Sequence, residues 1–280
     1  MDTSQAPDSG LPTRRPLTLI YALSLVIALL MAAASLLGLL YRTVTYPADD
    51  LAQSFVPTDV VNLFIGLPVL LGSVWLARRG KLIGLLLWPG ALLYGLYHYI
   101  VYVVALPLSP VFVLHLILLM LSAYTLIALI AAIDSEAVRR RLAGSVPERV
   151  AGGVLAGLGI LFALRPIGVL VGALVSQTPV SGAERALHAS DFVISPTWVI
   201  GGVLLWRRQS LGYLAGLGLL FQASMLFVGL VLFLLLQPFL AGAPFVLTDV
   251  LVILALGLVC FVPFALYVRG VLSGHWRAPK

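Results

Sequence analysis

Charge is what this 280-residue chain has least of: Asp, Glu, Lys and Arg together make up 10% of it. Water-soluble domains carry about a quarter, so a soluble globule is excluded. Cysteine is nearly absent. Cys260 stands alone in an apolar run, which rules out an intrachain disulfide and a dithiol redox centre. The chain has no H-E-x-x-H, no Walker A loop and no G-x-S-x-G elbow, the signatures of a zinc protease, a P-loop nucleotidase and a serine hydrolase. An enzyme of unfamiliar spacing stays open. Period-2 alternation is missing as well, and with it the mark of a transmembrane β-barrel.

What the chain does have is apolar sequence, 61% of its residues, with a mean hydropathy of +1.09. The apolar runs are long enough to cross a bilayer core of roughly 30 Å, where every backbone group must be satisfied within its own helix or a closed barrel. The expected fold class is therefore all-α, a polytopic transmembrane bundle of about eight helices. Their expected extents are Leu17 to Leu40, Asp59 to Ala77, Leu82 to Leu106, Val111 to Ile133, Val150 to Val175, Asp191 to Trp206, Leu211 to Leu236 and Phe245 to Val268. Residues 1–16 read as a disordered tail and 134–149 as a charged linker. The segments 17–133 and 150–268 read as two four-helix repeats, and 269–280 as a second tail.

The repeat is carried by register. Pro47 and Asp59 precede Pro179 and Asp191 by 132 residues, and Leu76, Arg78 and Arg79 precede Leu205, Arg207 and Arg208 by 129. Pro110 and Pro244 each open the last helix of a half. Fixed-period self-similarity is an architectural signal. With four crossings per half, the two repeats enter the membrane the same way round and are parallel.

The basic residues sit between spans, so the net charge of +6 reflects topology and no nucleic-acid partner is expected. If the N-terminus is inside, 14 of 17 Lys and Arg residues lie on the inner side. Arg42 and Arg185 lie outside, and Arg165 within a helix. Positive residues collect on the cytoplasmic side. Both termini are expected there, in a plasma or bacterial inner membrane, with the lipid bilayer as the one certain partner.

Ionisable groups inside a membrane are costly and mark function by default. Asp59 and Asp191 are expected at helix starts on the outer surface. His115 and Asp249 each follow a helix-opening proline by five residues. Outer loops add Asp49, Asp50, Glu184 and His188. Tyr94, His98 and Tyr102 share a helix face at i, i+4, i+8; Ala223, Phe227 and Val231 hold the corresponding face of the second half. Arg165, with five donors to satisfy, is expected to pair with Asp249, or failing that with Asp191 or Asp59. Candidate ligand-binding residues are thus Arg165, Asp249, His98, His115, Asp59, Asp191, Tyr94 and Tyr102. Glycines spaced by four at Gly153/Gly157, Gly168/Gly172 and Gly212/Gly216 suggest close helix packing, and place the helix over 150–175 at the centre.

These residues name no cofactor. Haem ligation would want paired histidines, and only His98 and His115 fall in helices. A metal site from His98, His115 and Asp249 or Asp59 has suitable ligand types without a signature spacing. Three function classes remain: a protein that binds or transports a small polar solute or ion through an outward-facing cavity; a membrane enzyme acting on a lipid-linked or extracytoplasmic substrate, with His98 or His115 as general base; and a scaffold without chemistry. Oligomeric state is not legible.

Overall fold

Nine helices of two or more turns run through the computed structural model, which describes residues 10–242 and 244–273. They are α1 (Thr18–Leu40), α2 (Asp49–Arg78), α3 (Leu82–Ala105), α4 (Pro110–Ala132), the short α5 (Ser135–Leu142), α6 (Glu148–Ser176), α7 (Gly182–Trp206), α8 (Ser210–Ala241) and α9 (Leu247–Ser273). All but α5 are long and apolar enough to cross a membrane. The architecture is that of a multi-pass helical membrane protein, with no strand among the described residues.

Two helices begin well before the apolar sequence does. The expected loop Tyr41 to Thr58 is mostly helix: one turn, Arg42–Thr45, and then α2 from Asp49. Asp49 and Asp50 occupy the first turn, where negative charge suits the helix dipole. Within α2, Asn62–Gly66 form a wide π-helical turn just before Pro68. The widening accommodates a ring that would otherwise press on the carbonyl four residues back. Helix α7 starts at Gly182, nine residues before the expected start at Asp191. Ser181 Oγ accepts from the Glu184 N–H at 3.1 Å, a Ser-x-x-Glu start that hydropathy does not register. Asp59 and Asp191 therefore lie inside helices, not at their outer ends.

Consecutive spans alternate in direction. One end of the bundle, the basic end, collects Arg78, Arg79, Lys81, the α5 arginines, Arg207 and Arg208. The other, the acidic end, collects Asp49, Asp50, Asp59, Glu184, Asp191 and Asp249. At the basic end the backbone is tied down. Arg14 N–H donates to Ala132 O at 2.7 Å, Asp134 N–H to Pro12 O at 2.8 Å, and Arg14 pairs with Asp134 at 3.0 Å. Residues 10–16 of the expected disordered tail are thus held, while 1–9 lie outside the described residues. The Ala137 N–H and the Arg14 guanidinium hold the exposed Asp134 carboxyl below its usual range.

Helices α3 and α8 form the middle. They cross at Gly90 and Gly218, where a Cβ on Gly90 would run into the Gly218 carbonyl. In α3, 67% of the spanning window is buried; in α6 only 22% is, so α6 is peripheral rather than central. A methyl group added at Gly157, Gly168 or Gly172 would meet nothing within 4 Å. Lipid follows a flat glycine face as readily as another helix does, so the spacing does not say which neighbour it meets. The close contact of α6 runs instead through Gly152 and Gly159, against Gly202 and Val199 of α7.

The turns α2–α3 and α7–α8 have one geometry. Arg79, Gly80 and Lys81 donate to Trp75, Ala77 and Leu76 at 3.1, 2.9 and 3.1 Å. Arg207, Arg208 and Gln209 donate to Val203, Leu205 and Leu204, each at 2.9 Å. Every member of the second set follows its counterpart in the first by 128 residues, not the 129 expected from the paired arginines. Arg79 and not Arg78 therefore stands where Arg207 does, and the α3 positions Tyr94, His98 and Tyr102 match Gln222, Leu226 and Leu230 rather than Ala223, Phe227 and Val231. Gly80 (φ 71°) and Arg208 (φ 55°) both take the left-handed conformation that closes a helix end. Gly90 and Gly218 stand in the same 128-residue relation.

Candidate functional site

The acidic end holds two buried carboxylates, each reached by a tyrosine of α3. Asp59 is 1% exposed. Its Oδ2 accepts from the Tyr46 hydroxyl at 2.5 Å and its Oδ1 from the Tyr102 hydroxyl at 2.7 Å. Gly38 of α1 lies flush against the carboxylate, leaving no room for a Cβ. Aromatic rings close the remaining sides: Phe55 stacks on Tyr102 from one side at 4.6 Å, and the His115 imidazole at 4.3 Å. Burial and the adjacent Asp59 carboxylate push the Tyr46 phenol, in the connection between α1 and α2, far above its ordinary range. No lysine, arginine or histidine lies within ion-pair distance of Asp59 among the described residues.

Asp191, also 1% exposed, has a different setting. Tyr97 donates to Oδ1 at 2.8 Å, and Arg165 Nη1 stands 3.5 Å from Oδ2. His188, one turn before it on α7, brings Nδ1 to 3.9 Å, and Glu184 Oε1 lies 3.7 Å from the other His188 nitrogen. Ser190 Oγ donates to the Tyr97 carbonyl at 2.8 Å and fixes α7 on α3. Arg165 thus pairs with Asp191 and not with the expected Asp249. The reason is geometric: α6 lies along α7 through Gly152 and Gly159, while Asp249 is exposed in the first turn of α9 with no side-chain bond among the described residues.

Between the two carboxylates lies a cavity of about 620 Å³, bounded by α2, α3, α6, α7, α8 and α9. Its wall is chiefly aliphatic and aromatic, with Val101, Leu226, Leu230, Phe55, Phe162, Phe227 and Phe233. Tyr97, His98 and Tyr102 face it from α3, Ser54 and Thr58 from α2, and Arg165, Ser181 and Glu184 from the far side. His98 Nδ1 bonds the Tyr94 carbonyl at 2.9 Å. A carbonyl only accepts, so Nδ1 carries the hydrogen and the neutral ring leaves Nε2 as an acceptor. The Arg165 side chain is 49% exposed and makes no hydrogen bond of standard length, so most of its five donors are open. An apolar wall with a few convergent polar groups is the usual make-up of a small-molecule site of this size.

Of the expected residues, the fold brings Asp59, Tyr102, His98, Arg165 and Asp191 to the cavity or one bond behind its wall. His115 is 1% exposed behind Tyr102, with Nδ1 bonded to the Val111 carbonyl at 2.8 Å. Tyr94 is buried under His98, at a ring distance of 4.4 Å, and its hydroxyl has no partner among the described residues. Asp249 is outside the site. Tyr97 and Tyr46 were not expected; Tyr97 lies five residues before Tyr102, off the Tyr94 stripe, and only the position of α7 gives it a role. A buried set at the basic end was also not legible. Tyr213 donates to Glu148 Oε1 at 2.9 Å, the Gly144 N–H to the same oxygen at 3.0 Å, and Tyr267 to the Tyr213 carbonyl at 3.0 Å. These partners satisfy one another and pin α8 and α9 to the linker. Among the described residues no three His, Cys, Asp or Glu side chains are placed to hold a metal ion. No protein family, curated protein or solved structure matches this chain.

Proposed function

We propose that this membrane protein binds a small solute in the cavity at its acidic end, which faces away from the cytoplasm. The observation that carries the reading is the cavity itself: about 620 Å³, with the open guanidinium of Arg165 set 3.5 Å from the buried Asp191. The sequence suggested a small polar solute or ion. The apolar wall favours a solute with an apolar body and one polar group, the body lying on Phe162, Phe227 and Leu226 and the polar group turned to Arg165, His98 or Tyr97.

Parallel four-helix repeats, 17–133 and 150–268, belong to the same proposal. The shared turn geometry supports them, and so does the meeting of Gly90 with Gly218, since equivalent residues touch on a two-fold axis. The basic end is the cytoplasmic one by the placement of Lys and Arg. Binding is favoured over transport because the backbones of α3 and α8 come together at Gly90 and Gly218 between the cavity and the basic end. It is favoured over catalysis because His115 is buried behind Tyr102 and, among the described residues, neither His98 nor His115 has a carboxylate partner to stabilise the imidazolium that a general base becomes.

Native mass spectrometry of the full chain, extracted from membranes, tests the reading. A small molecule should co-purify with the unmodified protein and be lost from Leu226→Trp, which fills the cavity. An empty unmodified protein, stabilised by Leu226→Trp, would show the cavity to be only a packing gap.

A further inference from the structure

A carboxylate sealed inside a helix bundle needs a cation or several hydrogen bonds to offset its lost hydration. Asp191 has Arg165. Asp59 has hydroxyls only, those of Tyr46 and Tyr102, with the Ser35 hydroxyl beside them. The distinction is chemical. A guanidinium can only donate, so it serves the anion and opposes a carboxylic acid. A hydroxyl can donate to a carboxylate or accept from a carboxylic acid by rotating its O–H bond. The surroundings of Asp59 therefore accommodate both protonation states without moving a heavy atom, whereas at Asp191 the Arg165 guanidinium favours the anion.

We propose that Asp59 is a proton-binding site one hydrogen bond behind the cavity wall, and that Tyr102 reports its state to the cavity. A proton from solvent water forms an O–H bond on the Asp59 carboxylate and returns to solvent on release; no other bond is made or broken. When Oδ1 is protonated it donates to the Tyr102 oxygen. The Tyr102 hydrogen, previously directed at Asp59, then turns toward the cavity that Tyr102 lines. An anion or acceptor bound there is favoured by the protonated state, and a donor by the ionised one.

The titratable groups around Asp59 are Tyr46 from the connection before α2, Tyr99 and Tyr102 of α3, and His115 of α4 behind Tyr102. Helix α1 offers Ser35 and Gly38, and α8 offers no charged group. Arg165 and Glu184 line the same cavity from α6 and α7. The Tyr99 hydroxyl is buried without a hydrogen-bond partner among the described residues.

The coupling rests on the cavity reading above; the proton site does not. Infrared spectra of the full chain in phosphatidylcholine vesicles, titrated through acid and neutral pH in H₂O and D₂O, test the site. The exposed carboxyls also protonate in acid, so the site is read as the one carboxylic acid C=O component that the unmodified protein shows and Asp59→Asn lacks; it should grow as pH falls and persist in Asp191→Asn. Tyr102→Phe should move that band to higher frequency by removing one hydrogen bond. C=O absorption that is identical in the unmodified protein and Asp59→Asn, or loss of that component in Asp191→Asn, overturns the assignment. Should Asp59→Asn fail to fold, an unmoved band in both Tyr102→Phe and Tyr46→Phe overturns it equally.

Coupling is read from Leu226→Cys in a Cys260→Ala background, reacted with N-ethylmaleimide. The rate should change about fivefold or more across the infrared titration, beyond the thiol's own ionisation as calibrated in the same protein carrying Tyr102→Phe. No such difference, with the band still titrating, overturns the coupling alone. An empty cavity by mass spectrometry, with the band still titrating, overturns the proposed function and leaves the proton site standing.

Discussion

Helices α2–α3 and α7–α8 make the same turn with the same three hydrogen bonds, 128 residues apart, yet they treat a buried carboxylate in opposite ways. Asp59 in the first hairpin is surrounded by hydroxyls, and Asp191 in the second is paired with a guanidinium. Both draw a tyrosine from α3: Tyr102 for Asp59 and Tyr97 for Asp191. The residues 128 positions on in α8, Leu230 and Met225, have no hydroxyl to offer. Backbone geometry at a turn depends on a few local bonds and tolerates wide sequence change. The setting of a buried charge depends on which side chains the neighbouring helices present, and these differ between the halves. The site is consequently asymmetric although the turns are alike.

The largest effect is expected from Gly90→Val, because its Cβ would overlap the Gly218 carbonyl and push α3, whose tyrosines serve both carboxylates, away from α8. Overpacking of this kind costs about 3 kcal/mol, measurable as loss of stability in detergent unfolding. Arg165→Ala affects the second half alone. It leaves a carboxylate with 0% side-chain exposure and one hydrogen bond, at a cost of about 2 kcal/mol. That is below the cost of breaking a closed pair, since the guanidinium is half open. Adding Asp191→Asn should restore most of the loss; a double variant no better than Arg165→Ala would mean that the pair is not what holds α6.

Tyr102→Phe affects the first half and should cost about 1 kcal/mol in the same unfolding assay, leaving the Arg165–Asp191 pair intact. Acid acts on the joint between the halves. Asp134 is held below its usual range by the Ala137 N–H and by Arg14, so its contribution is present above the unfolded carboxyl value and is lost as pH falls through the lower folded one. A lower protection factor against hydrogen exchange at the Arg14 amide below about pH 4 is the expected sign. Asp249→Asn, at an exposed position with no partner, should lie within about 0.5 kcal/mol of the unmodified protein. A larger loss would place Asp249 back in the site.

Much of the fold was legible. Eight spans, their order and the segregation of basic from acidic ends follow from hydropathy and from where lysine and arginine fall. The starts of α2 and α7 were not legible that way, because Asp49 to Thr58 and Gly182 to Ser190 are polar helix, and hydropathy reports only the part of a helix that lipid touches. The Ser181–Glu184 start was in the sequence as a capping pattern and could have corrected α7. Of the site, the polar residues themselves were visible as anomalies in apolar sequence. Which of them met was not visible: Arg165 had three candidate acids, and spacing along one helix says nothing about a neighbour's rotation.

Scarcity of charge decided the class of molecule, since a chain so poor in charged residues must satisfy its backbone inside helices. Each intramembrane ionisable group then had to have a partner or a purpose. Tertiary structure decided the rest. It put α3 and α8 at the centre, through one contact between two glycines. It sent Arg165 to Asp191, left Asp249 in the open, and surrounded Asp59 with hydroxyls. Those outcomes depend on how helices rotate and cross, quantities fixed by packing between distant parts of the chain and absent from any single stretch of it.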